Sequence, residues 1–556
     1  MEFRLRRAPW RALPHALLVG AVFFACPAPA AQVGRCPAVD GVPSDSELEA
    51  RGARVREIRY NTRDIFDPDV PGENRKLFLL ANRLHMKTRS RVIEHQLLVR
   101  PGDPYSRRLL DESERVLRKD TYLYEARLCP VAYAGNQVDI EVLTRDVWTL
   151  RLGLGVGRTG GRNTNRIQVA DDNLFGTGKS LTLERLSLVD RTSLLARYVD
   201  PNVLGSRVRA GGSYAKNSDG RRGEVFVERP FFALDTRWAA GLDVYDDERE
   251  DTLYTLGHVT NRFLHRERFL EAYYGISNGL VGDRAVRWSA GYTYDRDLFG
   301  PAIHHPFRFQ PPDRTLSYPW LGVEVADDVF LKASDLDQIH RVEDLELGTH
   351  VQARLGWAGP TFGATVHALM VSASATRGWQ FSRRQTLLLA TDLAGRIETR
   401  TTRNAQWNGS ARYYLRDFSQ HLLFASVELS AAHELDAENQ LLLGGDNGLR
   451  GYPLRFQAGD RRVLLSVEQR FFTDWYPWRL LHIGAAVFAD AGHAWVAAIP
   501  NRPQDLGWLR DVGFGLRLSP SRTGLGNVVH VDVAFPLDRT LGISSVQWLV
   551  KTHASF

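Results

Sequence analysis

No run of about 18 apolar residues occurs beyond the first 31 positions, so no helix here is long enough to cross a bilayer. Any membrane reading must use strands, because only helices and closed barrels satisfy every backbone group in lipid. A strong excess of either charge sign is missing too. The net charge is +6 over 556 residues, and Arg4, Arg6, Arg7 and Arg11 supply part of it, so nothing calls for a nucleic acid. Catalytic signatures are missing: there is no G-x-S-x-G elbow. Gly155 to Gly160 match G-x-G-x-x-G, yet lack the following helix and the acidic partner. Gly178-Lys179-Ser180 ends like a phosphate loop, but Asn173 stands where the first glycine belongs. His304-His305 lacks a third metal ligand at useful spacing. The expectation is no enzyme, no metal and no cofactor.

Residues 1–31 read as a secretory signal: four arginines, an apolar run from Ala16 to Ala25, and the small-residue site Ala28-Pro29-Ala30. A lipoprotein signal at Cys26 is the rival, though Phe23-Phe24-Ala25 fits a lipobox poorly. Of three cysteines, cleavage would leave Cys36 and Cys129. An exported chain meets an oxidising compartment, so the two are either a disulfide or two unpaired thiols.

A polar tail is expected over 32–53, then a small α/β domain over 54–147. Val55 to Tyr60 alternate like a strand. Residues 74–99 have a helical pattern, with Leu77, Phe78, Leu80, Ala81 and Leu84 and then Val92, Ile93 and Leu97. After the breaker Pro101-Gly102-Asp103-Pro104, Ser106 can cap a helix bearing Leu109, Leu110, Ser113, Val116 and Leu117 on one face. Strands follow at 122–128 and around Val138, Ile140 and Val142, giving the order β-α-α-β-β. The first of these two strands, at Tyr122, Leu123 and Tyr124, is the expected exposed sheet edge.

From 148 to 556 the helical period disappears. Strand-like segments recur at 180–188, 192–200, 207–214, 236–245, 285–294, 385–397, 422–432, 462–472, 481–492, 512–519 and 527–537. At about ten residues per spanning strand plus connections, some 400 residues suit a transmembrane antiparallel barrel of about 16 strands. The abundant glycine (47 residues) and 10% aromatic content suit tight turns and interfacial rings. In the last segment Phe556, Ala554, Thr552, Val550, Trp548 and Val546 share one face. Ser555, His553, Lys551 and Gln547 share the other, with Leu549 as an apolar exception. Such a strand, apolar outside and polar inside, closes a barrel; the alternative is an edge strand of a soluble sheet.

The short connection 473–480, with Trp475, Tyr476 and Trp478, should be periplasmic, and the connection of about 30 residues before 462 extracellular. Alternation points Glu468 and Asp490 into the lumen on adjacent strands, where they repel unless a cation joins them. Arg450 is the candidate if the long loop folds back inside, since its planar fork suits a carboxylate pair.

These pieces together resemble the BamA/TamA superfamily of outer-membrane assembly and translocation proteins. Leu449-Arg450-Gly451-Tyr452 resembles that family's loop-six signature, with Leu449 in place of the usual Val. Phe488-Ala489-Asp490-Ala491-Gly492 resembles its Phe-x-Asp-x-Gly strand motif, and 172–178 its early barrel hairpin. The β-α-α-β-β segment with Gly102-Asp103-Pro104-Tyr105 resembles one POTRA domain, where better-known members carry two to five or more.

The resemblance implies an outer-membrane barrel with its small domain in the periplasm. Arg450 would dock on Glu468 and Asp490 beside Phe488 and Gly492. Unfolded clients would be received by strand addition at Tyr122, Leu123 and Tyr124. They would then pass to a lateral seam between a first strand near Arg166–Ala170 and the closing strand of Trp548, Val550 and Phe556. Its partners would be the bilayer, unfolded clients and periplasmic accessory proteins. The alternative is a passive pore with a periplasmic docking domain.

Overall fold

Twenty strands close on themselves into one antiparallel barrel. The computed structural model describes residues 36–302, 309–399, 401–418, 420–497, 505–523, 528–538 and 543–553. The signal-like segment, His304, His305 and Phe556 therefore lie outside the described residues.

The chain opens with a small three-stranded sheet in the order β1-β3-β2, formed by β1 (Arg54–Arg63), β2 (Leu123–Ala134) and β3 (Gln137–Asp146). β1 runs parallel to β3, and β2 antiparallel to it. The helices are α1 (Asp45–Ala50), α2 (Lys76–Leu84), α3 (Ser90–Glu94) and α4 (Arg107–Arg118). Leu48, Val55, Ile93, Leu110, Leu117, Leu128, Val138 and Ile140 are buried in their common core. Ser106 accepts from Leu109 N at 3.4 Å, capping α4; such a cap contributes about 1 kcal/mol.

Two readings of this region change. Within the polar tail expected over 32–53, the described residues 36–53 include α1, which inserts Leu48 into the core. A disulfide joins Cys36 to Cys129, 93 positions apart, and ties that segment down. The helical stretch expected over 74–99 is broken after Leu84. Thr88 N donates to Asp146 Oδ2 at 2.7 Å and Arg89 N to Gly176 O at 3.0 Å. Two donors spent outside the segment hold 87–89 extended.

The wall begins with β4 (Leu150–Thr159), β5 (Arg162–Asp171), β6 (Ser180–Ser187), β7 (Thr192–Asp200), β8 (Arg209–Asn217) and β9 (Gly220–Arg229). Three long strands follow, β10 (Trp238–Thr255), β11 (His258–Val281) and β12 (Arg284–Pro301), then β13 (Arg314–Asp327). A separate hairpin, β14 (Phe330–Ser334) and β15 (Val342–Glu346), interrupts the wall. The wall resumes with β16 (His350–Ala358), β17 (Ala368–Ser382), β18 (Gln385–Glu398), β19 (Thr402–Phe418) and β20 (His421–His433). A long loop carrying the short pair β21 (Leu441–Leu443) and β22 (Gln457–Gly459) precedes β23 (Arg461–Phe472). β24 (Leu481–Trp495), β25 (Leu509–Pro520), β26 (Val528–Pro536) and β27 (Gln547–His553) complete it.

The count is 20, not the expected 16 or so. Long outer loops were assumed throughout, but β4–β5, β8–β9 and β10–β11 turn in two residues, as does β11–β12 at the other end. The first strand is β4, not the segment near Arg166–Ala170, which belongs to β5. Gly153, Gly155 and Gly157 disguise β4 as a loop, although Leu152, Leu154 and Val156 alternate with them on the outer face.

Outward positions such as Leu154, Val225, Val487, Phe514, Leu516 and Trp548 are exposed, whereas the inward Glu468, Asp490, Arg517 and Asp532 are buried. This inversion of a water-soluble protein is what a barrel in lipid requires.

Candidate functional site

The long loop between β20 and β23 folds back into the bore, because its own side chains find partners there. Leu449 and Tyr452 are fully buried among Leu443, Phe456, Leu464, Ala494 and Leu509. Between them Arg450 is carried to the wall. Its Nε donates to Asp490 Oδ2 at 2.7 Å and its Nη2 to Asp490 Oδ1 at 2.9 Å, while Nη1 donates to Glu468 Oε2 at 2.7 Å. Ser466 Oγ donates to Asp490 Oδ1 at 2.6 Å. The guanidinium lies 3.3 Å from the Phe488 ring centroid. One planar cation thus meets two carboxylates and an aromatic face, a match that a lysine cannot make.

Neighbouring glycines make room for this arrangement. Gly451 N donates to Asp511 Oδ2 at 2.9 Å, and a Cβ on Gly451 would lie 2.6 Å from that of Asp511. A Cβ on Gly492 would meet Leu443 at 2.9 Å. Tyr452 Oη donates to Arg510 O at 2.8 Å.

The polar network extends past the residues named from sequence. Glu468 also accepts from Arg517 Nη2 at 3.1 Å and Arg470 Nε at 3.2 Å, and Arg517 pairs with Asp532 at 2.5 Å. Sequence reasoning missed Asp511, Arg517 and Asp532. The period-two signal was available, since Asp511, Gly513, Gly515 and Arg517 share the inner face of β25.

The β14–β15 hairpin was also missed. Its tip residues Leu336 and Ile339 are buried against Tyr414, Leu422, Phe472, Ala486 and Val528 of the wall. Arg470 Nη1 donates to Leu336 O at 2.6 Å, and Tyr414 Oη to Asp337 Oδ2 at 3.1 Å. The hairpin therefore occupies the bore below the long loop.

The α/β domain is fastened to this hairpin and to the barrel wall. Arg118 holds Asp344 with two bonds of 2.7 and 2.8 Å, and Lys332 holds Asp111 and Glu114 at 2.7 and 2.6 Å. Arg108 meets Asp235 at 2.5 Å, and Leu234 N donates to Glu112 Oε1 at 2.8 Å. Deeper in the bore, a cavity of about 510 Å³ is lined by Arg197, Glu224, Glu271, Arg287, Trp320 and Arg354.

The expected edge at Tyr122, Leu123 and Tyr124 is closed. Tyr122 and Leu123 are buried, and Tyr124 Oη donates to His340 O at 3.1 Å. Along β2, Arg341 donates to Leu123 O at 3.0 Å, Arg118 to Ala126 O at 3.1 Å and Arg107 to Leu128 O at 3.1 Å. Leu128 N donates to Glu114 Oε1 at 2.9 Å. Side chains have taken the places that a new strand would use. The other edge, β1, is covered near Val55 by Asp103 and Gly102. Among the described residues, no hydrogen bond from outside the sheet reaches 57–63.

The last strand brings Trp548 to the outer face and Lys551 to the inner one. Leu549, the apolar exception, packs inside on Phe488 and Ala534. Among the described residues, β27 meets β4 through one ladder pair, Val550 with Arg158, and its other neighbour β26 through seven. The long loop spans this seam. Lys551 Nζ donates to Gly445 O at 2.7 Å on one side, and Leu454 packs on Gly160 of the β4–β5 turn on the other.

Among the described residues one trio of metal-type donors converges: His265, Glu267 and Asp297. His265 is spent between Asp251 and Asp297 at 2.6 and 3.0 Å, and Arg249 and Arg314 neutralise the acids. The trio is a satisfied ion-pair network.

No family model and no curated protein matches the chain. Among solved structures it is similar to BamA from Haemophilus ducreyi lacking POTRA domains 1–3, with 13% identity and a TM-score of 0.39, over 91% of this chain and 85% of that one. It is similar to CdiB from Escherichia coli, with 10% identity and a TM-score of 0.45, over 91% and 77%. It is also similar to the FrpB iron transporter from Neisseria meningitidis, with 9% identity and a TM-score of 0.37, over 74% and 85%. Likeness at this level carries no functional weight.

Proposed function

We propose that this chain is an outer-membrane assembly or translocation factor of BamA/TamA type, with its POTRA-like domain in the periplasm. The observation that carries the reading is the seam: among the described residues one ladder pair joins β27 to β4, and a loop pinned through Arg450 bridges the two from inside. An unpaired strand edge is a template for another strand. Parting β27 from β4 offers two such edges inside the membrane. The client-accepting edge of the small domain is 57–63 of β1, where backbone bonding tolerates varied sequences. The docked domain and hairpin define a resting state with the periplasmic mouth shut.

A seam cross-link tests this. The pair Arg158→Cys and Val550→Cys should block activity when oxidised and restore it on reduction. Depletion followed by outer-membrane proteomics then separates the routes. A broad fall in barrel proteins means assembly, and loss of one secreted protein means dedicated export. Full activity with the seam oxidised would sink the proposal.

The charged 510 Å³ cavity favours a second reading, a passive solute channel. A fixed solute preference in planar bilayers, with no change in other barrel proteins on depletion, would select it.

A further inference from the structure

Helix α2 turns its leucines the wrong way for a soluble domain. It buries Phe78, which stacks on Phe66 at 4.2 Å beside Ile65. Leu77, Leu80 and Leu84 remain 69, 50 and 64% exposed, and Met86 just beyond is 55% exposed. Spaced three and four apart, the leucines form one stripe along the helix. A contiguous apolar patch of this kind marks an interaction surface.

Two further observations identify what covers it. The stripe is framed by cations: Arg75, Lys76 and Arg83 on or beside the helix, and Arg89 and Arg91 after it. Among the described residues none of these five is ion-paired, whereas Lys87 between them pairs with Asp64 at 3.0 Å. The chain around α2 is also tied to three turns at one rim of the barrel. Arg479 donates to Pro71 O at 3.4 Å, Arg522 to Ile65 O at 3.0 Å and Arg89 N to Gly176 O at 3.0 Å. Two of those turns hold Trp475, Trp478 and Phe175 at 64, 68 and 59% exposure. Exposed aromatic rings at a barrel rim sit at the level of lipid headgroups.

We propose that α2 is an interfacial helix. It seats Leu77, Leu80 and Leu84 in the bilayer leaflet beside the β27–β4 seam, with Arg75, Lys76 and Arg83 on anionic phospholipid headgroups. An apolar stripe with a basic frame lies in the plane of such an interface. The small domain is thereby anchored to lipid as well as to the barrel, and the lipid next to the seam is held by the protein. The inference rests on the barrel spanning a membrane.

The test uses the full chain with single substitutions Leu80→Cys or Leu84→Cys, labelled with nitrobenzoxadiazole while Cys36 and Cys129 stay oxidised. Protein is placed in nanodiscs of phosphatidylcholine and phosphatidylglycerol containing doxyl lipid as quencher. Leu154→Cys on the outer wall and Asn61→Cys on β1 are the references. Labels at 80 and 84 should be quenched as at 154, and several-fold more than at 61. Replacing phosphatidylglycerol by phosphatidylcholine should lower quenching at 80 but not at 154; no change would overturn the role given to the three cations. Quenching at 154 without quenching at 80 and 84 overturns the inference. If iodide also fails to reach 80 and 84, a protein segment or a second copy covers the stripe, which overturns it too. Loss of quenching at 154 as well would strike the membrane reading itself.

Discussion

Asp337 and Arg470 meet at 3.3 Å where the hairpin tip touches the wall. Arg470 also reaches Glu468, which holds Arg450 of the long loop. At the hairpin's other end Asp344 holds Arg118 of α4. A single hairpin therefore joins the small domain to the loop latch, with an ion pair at each of its ends. Movement of the domain has a physical route to the seam.

Arg450→Ala leaves Glu468 and Asp490 without their shared cation. Breaking a buried ion pair on one side costs about 3–5 kcal/mol. Heat resistance of the folded barrel on gels should fall, and activity should drop more than export of the protein itself. Arg450→Lys keeps the charge but not the fork, so it should rescue only in part. Wild-type behaviour of Arg450→Ala in both assays would refute the latch.

Asp337→Ala removes one anchor of the hairpin, and deletion of 330–346 removes the hairpin entirely. Both should raise single-channel conductance in planar bilayers, the deletion more than the point change, with heat resistance of the barrel retained. Unchanged conductance in the deletion would show that the hairpin does not obstruct the bore.

Removal of the disulfide should loosen α1 and the segment before it. Closing a loop between residues 93 apart contributes about 2–5 kcal/mol. Cys129→Ser should expose residues 36–50 to protease while the barrel stays resistant. Equal protease resistance with and without reductant would argue against this role.

Asp120 gives the small domain a pH dependence. Burial pushes its pKa up to about 6 from 3.8, opposed by hydrogen bonds from Tyr122 and Gln96. A carboxyl with a raised folded value binds its proton more tightly folded than unfolded. Its contribution is complete below the unfolded value and is lost as pH rises through about 6, a change on the order of 3 kcal/mol. Hydrogen-exchange protection around 120–123 should decline from about pH 4 to 7 in the native chain, and Asp120→Asn should flatten that decline. Parallel profiles would remove Asp120 as the cause.

The wall was legible because alternation is a local signal: each strand states its own inner and outer faces. Arg450, Glu468 and Asp490 were legible for the same reason, joined to a motif. The closed edge of β2 was not, since Arg107, Glu114, Arg118 and Arg341 close it from elsewhere in the chain. Nor was the hairpin, whose two strands are of intermediate burial throughout and show no alternation. The leucines of α2 read as core because helical spacing says which side chains share a face, not what that face meets. Six closely spaced strands within 150–229 defeated the strand count.

The loop that grips Gly160 near the start of the barrel also needs the amine of Lys551, near its finish. A polypeptide still being threaded into place has no such amine to offer. Its cylinder stays unfastened on this side until Lys551 is in place, so this clasp closes late in the barrel's own assembly.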